Sequence, residues 1–240
     1  MTALLASVRT VEEALLALES GADIIDLKDP ARGALGALDP DTARSIVRTV
    51  AGRVPSSATI GDLPSMLPAE MLAAAERTAA TGVNFVKAGF FSVPTQVACA
   101  HALTPLARRI PLVAVLFADL EPDFALIETL AECRFAGVML DTARKNSGPL
   151  LRHLDLDALA EFVRRSRAVG LFTGLAGSLR EADLGALLAL EPDYLGFRGA
   201  LCAAAQRTGT LDASAFSRIR KAIPRTALPR ARGRASGLAA

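Results

Sequence analysis

The chain has 240 residues, of which 51% are hydrophobic, and its formal net charge is +2. This length and apolar content suit one domain with a large core, while no apolar run reaches the roughly 18 residues that a membrane span requires. Residues 222–240 contain four arginines and no acidic residue, so residues 1–221 carry a net charge of −2. We therefore expect a soluble protein that binds neither membranes nor nucleic acid.

The two ends of the chain differ in composition from its middle. Residues 1–8 are apolar but lack the basic segment of a secretory signal, so we expect a first strand and a cytoplasmic protein. Residues 223–240 are rich in Ala, Pro, Gly and Arg without apolar periodicity. This composition predicts a disordered tail after a domain of residues 1–222, with a functional basic arm as the alternative.

Short apolar segments alternate with amphipathic segments of helical periodicity along the domain. The predicted strands are 3–8, 23–28, 56–61, 84–88, 112–117, 137–141, 171–175 and 194–197. The predicted helices are 10–20, 41–50, 69–81, 95–108, 122–133, 155–169, 179–190 and 213–222. Capping-box patterns at Thr10 and Ser178 mark two helix starts, and Gly21, Gly82 and Gly170 mark three helix ends.

Eight strand–helix units in one domain predict an α/β protein with a single (β/α)8 TIM barrel, a fold that takes about 250 residues. An open doubly wound sheet is the alternative. The first strand is not followed by G-x-G-x-x-G, the phosphate-binding sequence expected there in an open dinucleotide-binding sheet, and this favours the barrel.

Charged residues lie at or just after the ends of several predicted strands, where the chemistry of a barrel collects. Period-2 alternation places Asp26 and Lys28 on one face of the second strand. The fourth strand ends in a lysine, the sixth ends in an aspartate with a lysine four residues later, and the third and fifth run into aspartates. In chain order, the set is Asp26, Lys28, Asp62, Lys87, Asp119, Asp141 and Lys145.

The distribution of lysine indicates amine chemistry at this face. Of 27 basic residues only Lys28, Lys87, Lys145 and Lys221 are lysines, so arginine serves wherever a generic cation suffices. Three of the four lysines nevertheless fall at the predicted catalytic face. An amine that loses its proton can attack a carbonyl or act as a base, which guanidinium cannot do near neutral pH. Solvated lysines paired with neighbouring aspartates are the alternative.

Two glycine-rich segments follow the seventh and eighth strands, where barrels commonly bind phosphate. Backbone N–H groups, a helix N-terminus at Ser178 and the Arg198 guanidinium would supply the donors. The predicted phosphate-binding residues are Gly174, Ala176, Gly177, Ser178, Gly196, Arg198, Gly199 and Ala200. Ordinary tight turns are the alternative for each glycine pair.

Neither a metal nor another cofactor is expected. The chain contains two histidines, and lysines interleave with the strand-end aspartates, which neutralises a pocket that could otherwise hold Mg²⁺.

The same segments resemble the (5-formylfuran-3-yl)methyl phosphate synthase family of methanofuran biosynthesis, also called 4-(hydroxymethyl)-2-furancarboxaldehyde-phosphate synthase. The similar segments are Gly21 to Pro30, Ile60 to Pro64, Val86 to Gly89, Met139 to Lys145, Leu175 to Ser178 and Arg198 to Ala200. They extend from the first helix to the eighth strand.

The resemblance implies a barrel lyase that condenses two molecules of glyceraldehyde 3-phosphate into a phosphorylated furan aldehyde, with loss of phosphate and water. Lys28 matches the family's Schiff-base lysine and Lys87 its proton acceptor, while Asp141 and Lys145 match supporting site residues. Asp62 would assist proton transfer.

A class I aldolase or triose-phosphate isomerase would need the same lysine and phosphate loops, and a non-catalytic sugar-phosphate-binding barrel is a third reading. Barrels of this length often assemble through their outer helices, so a homo-oligomer is an open alternative to a monomer.

Overall fold

A computed structural model describes residues 2–144 and 146–223 of the chain. Eight parallel strands pair in sequence order and close into a barrel, because β1 pairs with both β2 and β8. The strands are β1 Ala3–Val8, β2 Ile24–Leu27, β3 Ser56–Thr59, β4 Phe85–Phe90, β5 Leu112–Phe117, β6 Gly137–Asp141, β7 Phe172–Leu175 and β8 Tyr194–Phe197. The predicted (β/α)8 barrel is confirmed, and the open sheet is excluded by the β1–β8 ladder.

A helix follows each strand. The helices are α1 Val11–Glu19, α2 Pro40–Val50, α3 Pro68–Ala79, α4 Gln96–Ala107, α5 Leu126–Glu132, α6 Leu156–Ala168, α7 Leu184–Ala189 and α8 Ala213–Ala222. Gly21, Gly82 and Gly170, predicted to end helices, have φ values of 86°, 88° and 81°. This left-handed conformation is the one that glycine adopts most readily after a helix.

Side chains from the strands alternate between two cores. Outward residues such as Ile25 and Val86 pack against the helices, whereas inward residues such as Val115, Met139 and Tyr194 fill the barrel. Burial on both sides explains why the strands are nearly continuous apolar runs. It also means that a charged residue on an inward position must find its partners inside the barrel.

Two predicted helix starts differ from the structure. At the fifth helix the Asp123 carboxylate accepts a hydrogen bond from the Ala125 N–H at 2.8 Å, and the α-helix begins only at Leu126. Ser178 does not cap a helix, because its φ is 51° and Asp183 instead accepts a hydrogen bond from the Arg180 N–H at 2.9 Å. A side chain that bonds a nearby backbone group competes with the helix for that turn.

The predicted N-cap of α1 is confirmed, because Thr10 Oγ1 accepts a hydrogen bond from the Glu13 N–H at 3.2 Å. Its capping partner differs, because the Glu13 carboxylate accepts a hydrogen bond from the Arg9 N–H at 2.9 Å. The Glu13 carboxylate also accepts hydrogen bonds from the Arg198 guanidinium, which follows β8.

The first residue of the predicted tail packs in the core. Ile223 is 0% exposed and packs in the core, so it belongs to the barrel rather than to the tail. The rest of the predicted tail, residues 224–240, lies outside the described residues. Within the described part of the chain, none of the helices has the length and apolar character needed to cross a membrane.

Candidate active site

Three strands deliver four charged side chains to the inside of the barrel. The sequence predicts that the fourth strand ends in a lysine, but β4 continues to Phe90 and places Lys87 near its middle. Asp26 lies in β2 with Lys28 directly after the strand, Lys87 lies in β4, and Asp141 ends β6. Their neighbours Ile25, Leu27, Val86, Ala88, Val138 and Leu140 all pack outward against the helices. Side chains alternate between the two faces of a strand. Because these apolar side chains point outward, the four charged side chains point inward, as the sequence predicted.

The strand register places Asp26 between two serines. Ser7 of β1 and Ser57 of β3 are both aligned with Asp26. Their hydroxyl groups donate hydrogen bonds to the Asp26 carboxylate, at 3.0 Å from Ser7 and 2.6 Å from Ser57. The carboxylate is therefore fixed in one orientation by its two neighbouring strands.

The four charges form two buried ion pairs. Lys87 Nζ lies 2.7 Å from Asp26 Oδ1, and Lys28 Nζ lies 3.5 Å from Asp141 Oδ2. The exposed fractions are 0% for Asp26, 2% for Lys87, 3% for Asp141 and 7% for Lys28. A buried charge is costly without a partner, so each pair keeps its members in place. Lys28 is the more accessible of the two amines.

Burial lowers the pKa of the Lys87 amine, and the neighbouring charge of Lys28 lowers it further. The Asp26 carboxylate opposes this change because a negative charge favours the protonated amine. Burial alone would raise the pKa of Asp26, but the positive charges of Lys87 and Lys28 lower it overall. Asp26 thus stays ionised while Lys87 gives up its proton more readily than an ordinary lysine.

Two buried amines paired with carboxylates at a barrel mouth can perform carbonyl chemistry. One amine can condense with a carbonyl to form an iminium ion, which withdraws electrons from the adjacent carbon. A second amine with a lowered pKa can accept the proton that this carbon releases.

Asp141 also fixes the start of the loop after β6. Its Oδ1 atom accepts a hydrogen bond from the Thr142 N–H at 2.7 Å, and Thr142 is fully buried. Lys145, the other predicted site residue of this loop, lies outside the described residues.

Asp62 and Asp119 hold loops rather than facing the two amines. Asp62 accepts hydrogen bonds from the N–H groups of Ala34 and Leu35 at 2.9 Å each, in the loop that follows Lys28. Asp119 accepts hydrogen bonds at 2.7 Å from the N–H groups of residues 143 and 144, in the loop after β6. Both carboxylates are thus taken up by backbone N–H groups, so we describe both as positioning residues, and the expected proton transfer by Asp62 has no support in its contacts.

Part of the predicted phosphate loop has the expected form. The backbone N–H groups of Gly177, Ser178, Gly199 and Ala200 donate no hydrogen bond to any residue that the structure describes. Gly177 has a φ of 108°, and a Cβ atom there would lie 3.0 Å from Thr142 Cγ2. Unused amide donors at the ends of β7 and β8 are the groups that bind phosphate in many barrels.

Gly174, Ala176 and Gly196 belong to the barrel wall instead. The Ala176 N–H donates to the Leu140 carbonyl at 2.8 Å, so it is not available to an anion. A Cβ atom at Gly196 would lie 3.1 Å from the Ala176 Cβ, and one at Gly174 would lie 2.1 Å from Cζ of Tyr194. Packing requires a glycine at 174 and leaves little room at 196, so both glycines have a packing explanation in place of the predicted phosphate contact.

We expect Gly174→Ala to lower the free energy of unfolding by about 1–3 kcal/mol, because the added methyl group overlaps the buried Tyr194 ring. Urea denaturation measures this loss. Gly185→Ala in α7 is the matched control, since a Cβ atom there meets nothing within 4 Å. A Gly174→Ala protein as stable as the wild type would contradict the packing role.

The Arg198 guanidinium does not point to a ligand. It is 7% exposed, and all five of its N–H groups donate within the protein. Two reach the Glu13 carboxylate at 2.5 and 2.9 Å, and the others reach the carbonyl oxygens of Ser7, Arg207 and Gly209. The prediction that this side chain binds phosphate is wrong, because Glu13 already takes its fork of donors.

Sequence reasoning missed Arg207. It lies in the connection between β8 and α8, is half-buried, and donates from Nη2 to the Gly33 carbonyl oxygen at 2.9 Å. Arginines were read as generic cations, and Arg207 lies well beyond the end of β8 at Phe197, so the strand-end pattern that identified the lysines does not mark it.

Within the described part of the chain, the structure contains no cluster of three or more histidine, cysteine or acidic residues suited to a metal ion.

Comparison with known proteins identifies the family of the chain. A family model described as 4-HFC-P synthase matches residues 4–220, which include both ion pairs. The chain belongs to this family. The resemblance drawn from the strand-end motifs is thereby confirmed.

Curated relatives cover most of the chain. The "Putative (5-formylfuran-3-yl)methyl phosphate synthase" of Methylorubrum extorquens is 43% identical over 92% of this chain and 91% of its own length. The (5-formylfuran-3-yl)methyl phosphate synthase of Methanosarcina mazei is 34% identical over 83% of this chain and 90% of its own. That of Methanopyrus kandleri is 36% identical over 80% and 85%, respectively.

Solved structures share the fold. Phosphoribosyl anthranilate isomerase from Thermotoga maritima superposes with a TM-score of 0.67 at 19% identity, covering 91% of this chain and 97% of its own. A 3-hexulose-6-phosphate synthase gives 0.62 at 20% identity, covering 93% and 100%. At this level of identity, the likeness extends to the barrel alone.

Proposed function

We propose that this protein condenses two molecules of glyceraldehyde 3-phosphate into (5-formylfuran-3-yl)methyl phosphate, with loss of inorganic phosphate and water, for a methanofuran-type carrier of one-carbon units. The observation that carries the proposal is the pair of buried lysine–carboxylate ion pairs at the barrel mouth, in a chain of the 4-HFC-P synthase family.

Lys28 is the residue we assign to Schiff-base formation. It is the more exposed of the two lysines and lies directly after β2, where a substrate entering the mouth reaches it first. Its amine attacks the carbonyl carbon of one triose phosphate, and loss of water leaves an iminium ion. Asp141, whose Oδ2 atom lies 3.5 Å from the Lys28 amine, stabilises the positive charge of the iminium nitrogen once it has formed.

Lys87 is the residue we assign to proton transfer. Its lowered pKa gives a larger fraction of neutral amine, which can accept the proton from the carbon next to the iminium. Removal of that proton gives an enamine, whose carbon attacks the aldehyde of the second triose phosphate. Asp26 holds the Lys87 amine in position through its 2.7 Å contact.

The amides of Gly177, Ser178, Gly199 and Ala200 are the groups we assign to a substrate phosphate. They lie at the ends of the last two strands and have no acceptor among the described residues. The iminium supplies the electron sink that a metal would otherwise provide, so the proposed reaction requires no cofactor.

The test is to incubate the purified protein with glyceraldehyde 3-phosphate and to follow ultraviolet absorbance and phosphate release together. We expect a furan-aldehyde band that grows in step with inorganic phosphate. A carbon–carbon condensation product without phosphate release would indicate a class I aldolase, and interconversion of triose phosphates alone would indicate an isomerase. Binding without any turnover would indicate a non-catalytic barrel.

A further inference from the structure

Arg207 bridges two loops at the barrel mouth. It lies in a turn closed by a 2.8 Å hydrogen bond from the Gly209 N–H to the Gln206 carbonyl oxygen, after β8. Its Nη2 atom donates to the carbonyl oxygen of Gly33, in the loop that follows Lys28, at 2.9 Å. The guanidinium therefore reaches from the β8 side of the mouth to the β2 side.

The backbone around Arg207 is held by a buried ion pair. Arg198 donates from Nε to the Arg207 carbonyl oxygen at 2.8 Å and from Nη2 to the Gly209 carbonyl oxygen at 2.6 Å. Arg198 is itself fixed by the buried Glu13 carboxylate. Arg198 thus acts as a positioning residue, and it restrains the segment from which Arg207 extends.

The Arg207 guanidinium retains unused donors. Among the residues that the structure describes, its Nε and Nη1 groups donate no hydrogen bond and it forms no salt bridge. Burial lowers the pKa of Arg207, and the charges of Asp141, Asp62 and Asp29 act in the opposite direction. These interactions place the guanidinium in the electrostatic field of the catalytic mouth. A half-buried cation without an ion-pair partner is suited to bind an anion.

We propose that Arg207 binds a substrate phosphate, as the second of two phosphate sites in the mouth. The inference rests on the proposed function, in which two phosphorylated trioses occupy the barrel together. One phosphate lies on the amides after β7 and β8, and the other lies on the Arg207 guanidinium, on the β2 side where Lys28 emerges. The planar fork of arginine suits a phosphate better than the point charge of lysine.

The test uses glycerol 3-phosphate, which carries the phosphate but has no carbonyl and cannot turn over. By titration calorimetry we expect the wild type to bind two equivalents. Arg207→Met should bind one, with affinity at the second site lowered about 10- to 100-fold, and Arg207→Lys should fall between the two. Arg109→Met is the matched control, since that exposed arginine follows α4 at the opposite end of the barrel.

The outcomes separate this proposal from the proposed function. Two equivalents bound by Arg207→Met with wild-type affinity would overturn the second phosphate site, as would a single equivalent bound by the wild type. Titration of Arg207→Lys supplies the same comparison if the methionine variant does not fold. If the wild type does not convert glyceraldehyde 3-phosphate, the proposed reaction is wrong. The number of phosphate sites measured by calorimetry does not depend on that result.

Discussion

Replacement of Lys28 by alanine or arginine is expected to abolish borohydride trapping of glyceraldehyde 3-phosphate and to reduce turnover by at least about 10³-fold. Only an amine forms the iminium ion that borohydride reduces, and arginine preserves the charge beside Asp141 without this reactivity. Intact-protein mass spectrometry measures the trapped adduct, and peptide mapping identifies the modified lysine.

Lys221→Ala is the matched control, because Lys221 is an exposed lysine of α8. It should retain both the adduct and the activity. If the adduct persists in Lys28→Ala and maps to Lys87, the roles of the two lysines are exchanged. If the wild type gives no adduct, the Schiff-base mechanism is wrong even though the family membership stands.

Replacement of Lys87 by methionine is expected to lower turnover by about 10²- to 10⁴-fold while leaving the borohydride adduct on Lys28. The variant removes the proton acceptor but not the Schiff-base amine. It also leaves the fully buried Asp26 carboxylate without its 2.7 Å partner, so the free energy of unfolding should fall by about 3–5 kcal/mol. Single-turnover kinetics and urea denaturation measure the two effects separately.

Two comparisons test the assignment of Lys87. Asp26→Asn combined with Lys87→Met should be less destabilised than the sum of the single variants, because no charge is then left unpaired. In the wild type, the acid-side limb of the kcat/KM profile should lie below pH 10.5, because burial lowers the pKa of Lys87 and activity rises as the amine loses its proton. An acid-side limb of the kcat/KM profile that lies at the same pH in Lys87→Met as in the wild type would contradict this assignment.

The loops after β2 and β6 are held at the barrel mouth in the same way. A carboxylate at the end of one strand binds the backbone N–H groups of a neighbouring loop, as Asp62 does for the loop after β2 and Asp119 for the loop after β6. Those two loops follow Lys28 and Asp141, the members of one ion pair. The two aspartates thus hold in place the loops that follow two residues of the candidate site.

The barrel and the inward charged residues of its strands could be predicted from the sequence. Alternation of apolar runs with helical periodicity is a local property of the chain, and period 2 along β2, β4 and β6 places their charged residues inward. The helix ends at Gly21, Gly82 and Gly170 were predictable for the same reason, because each depends on the conformation of one residue.

The partners of these residues could not be predicted from the sequence and became known from the folded chain. Barrel closure aligns Asp26 with serines of both neighbouring strands, and it brings Lys87 to Asp26 and Arg198 to Glu13. These partners lie many residues apart in the chain, and local periodicity carries no information about such distances. The reason for a glycine at position 174 is likewise visible only in the structure, where the Tyr194 ring lies against it. Strand register and packing set these contacts, because a buried charge or a crowded side chain must be accommodated wherever closure of the barrel places it.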